Sequence, residues 1–143
     1  MVHVYNTKVR MKDGRVGELV CGNGHKTDFS APPEFKGNAG VFTAEDALVA
    51  SVNMSIMQTF LHLTEKKNIK VRAYEADANG ILGHRKGNEC IIRIVVHPKI
   101  TVDPGTNIDT IELCLNEARK YSIIVNSIHA TIVVEHKMET YKA

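Results

Sequence analysis

TAEDALVASVNMSIMQTFLHLTEKK, residues 43–67, reads as one long helix that is apolar nearly all the way round. Ala47, Leu48, Val49, Ala50, Val52, Met54, Ile56, Met57, Phe60, Leu61 and Leu63 leave no wide polar face. A chain in water carries such a helix only where it is buried on most sides. Thr43 with Asp46 three residues on is a near match to a capping box. Glu45 and Asp46 suit the positive end of the helix, Lys66 and Lys67 the negative end. Two short polar residues, Asn53 and Ser55, interrupt the middle. Together with Ser51, Gln58, Thr59 and His62 they make the segment too polar for lipid, so no membrane partner is expected.

The rest of the composition describes an ordinary globular chain. Its 143 residues suit one domain over 1–143 with a core that needs no disulfide. A formal charge of +2, spread along the chain with no Trp, gives no basic stripe for nucleic acid. Cys21, Cys90 and Cys114 are odd in number and lack CxxC spacing, which argues against a disulfide framework and a zinc site and for reduced thiols in the cytoplasm. The N-terminal MVHVYNTKVR lacks the apolar core of a signal peptide.

Outward from the helix, turn signals set the strands. Asp13-Gly14 and Asn23-Gly24 supply the positive φ of tight hairpins, predicting strands over 2–10, 15–21 and 25–29. The stretch 31–42, APPEFKGNAGVF, is a loop by its prolines and glycines. After the helix, residues 70–78 alternate, Asn79-Gly80 signals a turn, 85–88 another, and 90–97 (CIIRIVVH) a strand. A second helix is predicted over 107–121, with Ile108, Ile111, Leu115 and Ala118 on one buried stripe. A final strand is expected over 127–136. The order β-β-β-α-β-β-β-α-β is an α+β domain of antiparallel strands with two main helices, the first long and buried.

Motif chemistry is sparse. Seven histidines (His3, His25, His62, His84, His97, His129 and His136) show no HxxxH and no Cys/His cluster, so no metal is expected. Gly37-Asn-Ala-Gly40 lacks the Lys-Ser/Thr of a phosphate loop, and no cofactor is indicated.

Two segments carry a family resemblance. APPEFKGNAGVFTAEDALVASVNMSIMQTFLHLTEKKNI resembles the OsmC/Ohr (osmotically inducible and organic hydroperoxide resistance) family, where a Pro-Glu-Phe-Gly-like loop leads into an acidic helix start, a small-residue run and a cysteine. EARKYSIIVNSI resembles the family's second site, where Glu-Ala…Lys-Tyr precedes Cys-Pro-Val. The resemblance implies an OsmC-like fold, a peroxiredoxin-like thiol peroxidase role in organic hydroperoxide and oxidative stress defence, and an intertwined homodimer with sites between subunits. Carried over by position, the peroxide-attacking cysteine falls on Ser55 and the resolving cysteine on Ser122. The helix-start glutamate falls on Glu45, and the loop arginine on Lys12 or else Arg15 or Arg10. Ile123 stands where the family has proline.

The site is thus cysteine-less, and that is decisive for the family mechanism. A thiol with a pKa of about 8.5 can be tuned to a thiolate and oxidised reversibly. A serine hydroxyl has neither property. Cys114 precedes Ser122 by eight residues, about 12 Å along a helix and roughly 80° around it, and does not replace it. Ser55 as a nucleophile lacks a base, since His62 lies two turns on. Glu45 and Ser55, ten residues apart, are separated by about 15 Å of helix, so a Glu45 facing Ser55 must come from a second subunit. The plain alternative is that Glu45 is only a first-turn acid and Ser55 only a small residue where helices approach. The expectation is a small-molecule binding or sensing homodimer, with a partly apolar ligand at the subunit interface. The rivals are a peroxide-reducing enzyme with a displaced cysteine and a serine-based enzyme.

Overall fold

The computed structural model describes residues 2–143. It divides into two compact units, the first ending at Leu48 and the second running Val49–Ala143.

The first unit is a three-stranded antiparallel sheet of β1 (Thr7–Asp13), β2 (Val16–Cys21) and β3 (Lys26–Phe29) in sequential order. Both expected turns form. Gly14 and Gly24 take φ of 55° and 95°. Asn23 Oδ1 accepts the His25 N–H at 3.0 Å, the local bond that favours Asn in turns. The first strand starts at Thr7 rather than residue 2, and every residue of it is exposed. A 3-10 turn, Pro33–Phe35, follows in the loop.

The capping box is realised. Asp46 N donates to Thr43 Oγ1 at 2.9 Å, and Thr43 N donates to Asp46 Oδ2 at 3.1 Å. Helix α1 runs Ala44–Lys66 and closes on Asn68, whose φ of 55° lets the Ile69 N–H reach the Thr64 carbonyl.

In the second unit, α1 is followed by β4 (Val71–Arg85), β5 (Asn88–Val102), α2 (Ile108–Tyr121), a 3-10 turn (Val125–Ser127), β6 (Thr131–Val134) and β7 (Lys137–Thr140). Asn79-Gly80 is not a turn. β4 passes straight through it in register with β5, and the positive φ values sit at Lys86 and Gly87, where the hairpin reverses. Gly80 is there for packing: a Cβ on it would lie 2.5 Å from Val49 Cγ2. The expected extra strand merges into β4, and the expected single last strand is two. Both β6 and β7 pair parallel to β5, so the sheet is mixed rather than antiparallel throughout. The gap between them falls opposite Pro98, which has no N–H to offer a ladder.

The core joins Val52, Ile56 and Phe60 of α1 to Ile94, Val96, Ile100 and Val102 of β5, Ile111, Cys114, Leu115 and Ala118 of α2, and Ile132 of β6. Cys114 joins the buried stripe of α2, and Ile108, expected on it, is exposed. Only one stripe of α1 is fully buried, Val52, Ile56, Phe60 and Thr64, and Met54 is 61% exposed. Most-sided burial of this helix is therefore not achieved within the chain.

Tyr74 packs beside Phe60, ring centroids 5.6 Å apart, with its hydroxyl buried and unpartnered among the described residues. Burial pushes its pKa from 10.0 up to about 12. The folded chain holds this proton more tightly than the unfolded chain. Its contribution to stability is complete below pH 10 and is lost as the pH rises toward about 12. Among the four tyrosines, one is expected to ionise last in an absorbance titration of tyrosinate, and Tyr74→Phe removes that late step. Deleting a buried unpaired hydroxyl is expected to stabilise the fold by about 1–2 kcal/mol in urea unfolding.

Candidate functional site

Ser55 and Ser122 meet. Their hydroxyl oxygens are 2.6 Å apart across 67 residues of chain. Ser55 comes from the middle of α1, one position before the fully buried Ile56. Ser122 caps the C-terminus of α2 with extended backbone (φ −65°, ψ 122°). It is completely buried.

The segment after Ser122 holds it in place. The Val125 N–H donates to Ser122 Oγ at 3.2 Å, and the Asn126 N–H donates to the Ser122 carbonyl at 3.0 Å. Ser127 Oγ donates to the Ile123 carbonyl at 2.7 Å, and Asn126 Nδ2 to the Lys120 carbonyl at 3.2 Å. A 3-10 turn, Val125–Ser127, follows Ser122 after two intervening residues. On the α1 side, Thr59 Oγ1 donates to the Ser55 carbonyl at 2.8 Å. Asn53 is tied to β4 by Nδ2 donating to the Ala76 carbonyl at 3.0 Å. Both polar interruptions of the apolar helix therefore have partners.

The other candidates lie in the first unit. Lys12 Nζ is held by Asp28, 2.9 and 3.0 Å from its two carboxylate oxygens. Arg10 pairs with Glu18 at 2.8 Å. Arg15 has no ion-pair partner among the described residues, so of the three it is the uncompensated cation. Glu45 is half-buried in the first turn of α1 and carries no ion pair among the described residues. That unit also has an apolar cavity of about 190 Å³ between Val9, Leu19, Phe29, Phe42 and Ala47.

Cys114 is placed unfavourably for thiolate chemistry. All three cysteines are free. Cys114 is wholly buried, and burial pushes its thiol up, with Glu117 adding to the shift and Lys67 opposing it. A raised thiol pKa starves the reactive thiolate. Among the described residues, no group of three His, Cys, Asp or Glu could hold a metal, and no helix is long and apolar enough to cross a membrane. His97 and His136 each pair with one glutamate, Glu135 at 3.5 Å and Glu112 at 3.2 Å. Residue patterning alone missed the Val125 N–H that orients Ser122 and the orphan hydroxyl of Tyr74. A backbone donor and a lone alternating tyrosine leave no mark in composition or spacing.

Two helices with a mixed sheet, one helix long and crossed near its middle by the end of the other, define an α+β fold of the OsmC type. The chain belongs to the OsmC-like protein family, whose model matches residues 37–137. Among solved structures, an OsmC-like protein of unknown function from Vibrio cholerae superposes with a TM-score of 0.89 at 22% identity, over 95% of this chain and 100% of that one. An OsmC-like protein from Mycoplasma pneumoniae gives 0.81 at 15%, over 97% and 99%. An organic hydroperoxide resistance protein from Elizabethkingia anophelis gives 0.76 at 17%, over 99% of each. No curated protein matches the chain by sequence.

Proposed function

We propose that this chain is a cytoplasmic OsmC-like homodimer that has lost thiol peroxidase chemistry and uses the remaining pocket to bind a small, partly apolar molecule. The single observation that carries this reading is the 2.6 Å contact between Ser55 and Ser122. The two positions that family resemblance assigns to the reacting cysteines lie together, but they hold hydroxyls. Such a pair can bind by hydrogen bonds and cannot cycle through sulfenic acid and disulfide. The hydroperoxide resistance named for relatives then describes the ancestry of the pocket rather than its present chemistry.

A second copy of the chain is favoured by exposed apolar side chains that one chain leaves uncovered, Val9, Met11 and Met54 among them. Within α1, Glu45 and Ser55 are about 15 Å apart along the axis, so the partner would bring Glu45 and a cation, Lys12 or Arg15, to the serines. A serine nucleophile is disfavoured, because the only side chain bonded to Ser55 Oγ among the described residues is another serine.

The test is consumption of cumene hydroperoxide with a dithiol reductant, alongside sedimentation. The wild type is expected to sediment as a dimer and to show no turnover above the uncatalysed rate. Turnover that disappears in Cys114→Ser would overturn the binding reading in favour of a displaced thiol.

A further inference from the structure

Helix α2 brings Asn116, Arg119 and Lys120 to one face, because residues three and four apart are neighbours on a helix. That face forms one wall of an open pocket of about 530 Å³. Asn126 of the 3-10 turn and Thr131 at the start of β6 complete the polar lining, and the other walls are apolar. Among the described residues, neither serine of the pair lines it, and neither does any carboxylate. The pocket is separate from the serine pair, so its ligand does not depend on the function proposed above.

The walls are tied to one another by hydrogen bonds within the chain. Arg119 Nη1 donates to the Ile132 carbonyl at 3.1 Å, fixing the guanidinium against β6. Asn126 Nδ2 donates to the Lys120 carbonyl at 3.2 Å, joining the turn to the helix end. Arg85 Nη2 donates to the His129 carbonyl at 3.1 Å, holding the segment that leads into Thr131. The polar groups still have capacity for a ligand. The bond to Ile132 uses one N–H of the guanidinium, and the others have no partner among the described residues. Lys120 Nζ lies over the Tyr121 ring, 5.4 Å from its centroid, and like Arg119 it makes no ion pair among those residues. The side chains of Asn116 and Thr131 make no hydrogen bond there either.

Charge decides the class of ligand. Two unpaired cations line the pocket, and the negative end of the α2 dipole, about half an elementary charge, offsets them only in part. Two of the carbonyls at that end, Lys120 and Ser122, already receive N–H groups from Asn126. Glu112, a turn before Asn116 on the same face, is paired with His136 at 3.2 Å. A monocarboxylate would leave one cation uncompensated. A phosphate monoester carries about −1.5 to −2 charges at neutral pH and three acceptor oxygens, which a guanidinium fork and an ammonium can share. An isolated pair of cations, rather than a stripe, suits one phosphate and not a polyanion. We infer that this pocket binds a small phosphate monoester with a hydroxyl-bearing body of sugar size. Arg119 and Lys120 hold the phosphate, and Asn116, Asn126 and Thr131 take the hydroxyls. The volume lies within the range of about 300–1,000 Å³ usual for small-molecule sites.

The experiment titrates ribose 5-phosphate, inorganic phosphate and succinate into the full chain at low salt and follows backbone amide shifts by NMR. Ribose 5-phosphate is expected to move the amides of Asn116, Lys120, Asn126 and Thr131. It should bind about tenfold more tightly than inorganic phosphate or succinate, which lack hydroxyls for the amide side chains, the scale of one or two neutral hydrogen bonds. Arg119→Gln is expected to weaken it by about tenfold or more, the loss of a charge-assisted pair. Because Arg119 also ties β6, Lys120→Gln is the second variant; this side chain is exposed, and a several-fold loss with an otherwise conserved amide spectrum is expected. Inorganic phosphate or succinate binding as tightly as the sugar phosphate would overturn the ligand class. Unchanged affinity in either variant, or no movement of these amides with any probe, would overturn the site itself.

Discussion

Ser55→Cys/Ser122→Cys is expected to form a disulfide on air oxidation and to gain hydroperoxide turnover absent from the wild type. The oxygens are already 2.6 Å apart, and each C–S bond is longer than the C–O bond it replaces, so the sulfurs come within reach of a bond of about 2.05 Å. The backbone supports the exchange. Ser122 Oγ already receives the Val125 N–H, and a backbone donor aimed at that atom stabilises a thiolate as it does a hydroxyl oxygen. The crosslink closes a loop of 67 residues, worth about 4 kcal/mol by chain entropy in the unfolded state.

Thiol titration under denaturing conditions measures the first part: the oxidised variant should show only the three native cysteines. Reductant-dependent loss of cumene hydroperoxide measures the second. A disulfide without turnover would mean that the pocket no longer admits peroxide. Neither disulfide nor turnover would mean a vestigial site, and the proposed function would fall with it.

Phe60→Ala is expected to destabilise the protein by about 3–5 kcal/mol. Phe60 is wholly buried and is the largest such side chain in the core. It lies one turn along α1 from Ile56, on the stripe that faces β5 and α2, and it stacks at a tilt on Tyr74. Removing it deletes apolar contact and leaves a cavity that surrounding secondary structure closes only in part. The loss is large beside a typical domain stability of about 5–15 kcal/mol, so it should be visible as a strongly lowered urea midpoint with little change in slope. Leu61, its neighbour on a half-buried face, should cost markedly less when cut to alanine, because there less surface is removed from water.

The two cases also separate what could be seen in the residues from what could not. The helix over 43–67 was legible almost to its ends, because capping and apolar content act locally. Asn79-Gly80 misled for the same reason: its local preference is a turn, but fifteen-residue pairing with β5 and the approach of Val49 override it. The split of the last strand depended on Pro98, more than thirty residues away, and so left no local trace. At the site, residue types alone marked Ser55 as an oddity within an apolar helix. Ser122 was visible only through resemblance to a family, since nothing at either position announces a partner 67 residues away.

By itself, then, the sequence determined the elements whose causes are local: the capped helix α1, the hairpin turns at Gly14 and Gly24, the amphipathic α2, and the absence of a thiol at positions 55 and 122. Only the tertiary structure decided that the sheet is mixed, that one stripe of α1 rather than its whole circumference is buried within the chain, and that Ser122 is sealed from water with its hydroxyl oxygen 2.6 Å from that of Ser55. The reason is physical. Capping and turn preferences are set by neighbours within a few residues, whereas burial and the direction of a hydrogen bond depend on which distant groups surround an atom, and those are fixed only when the chain has folded.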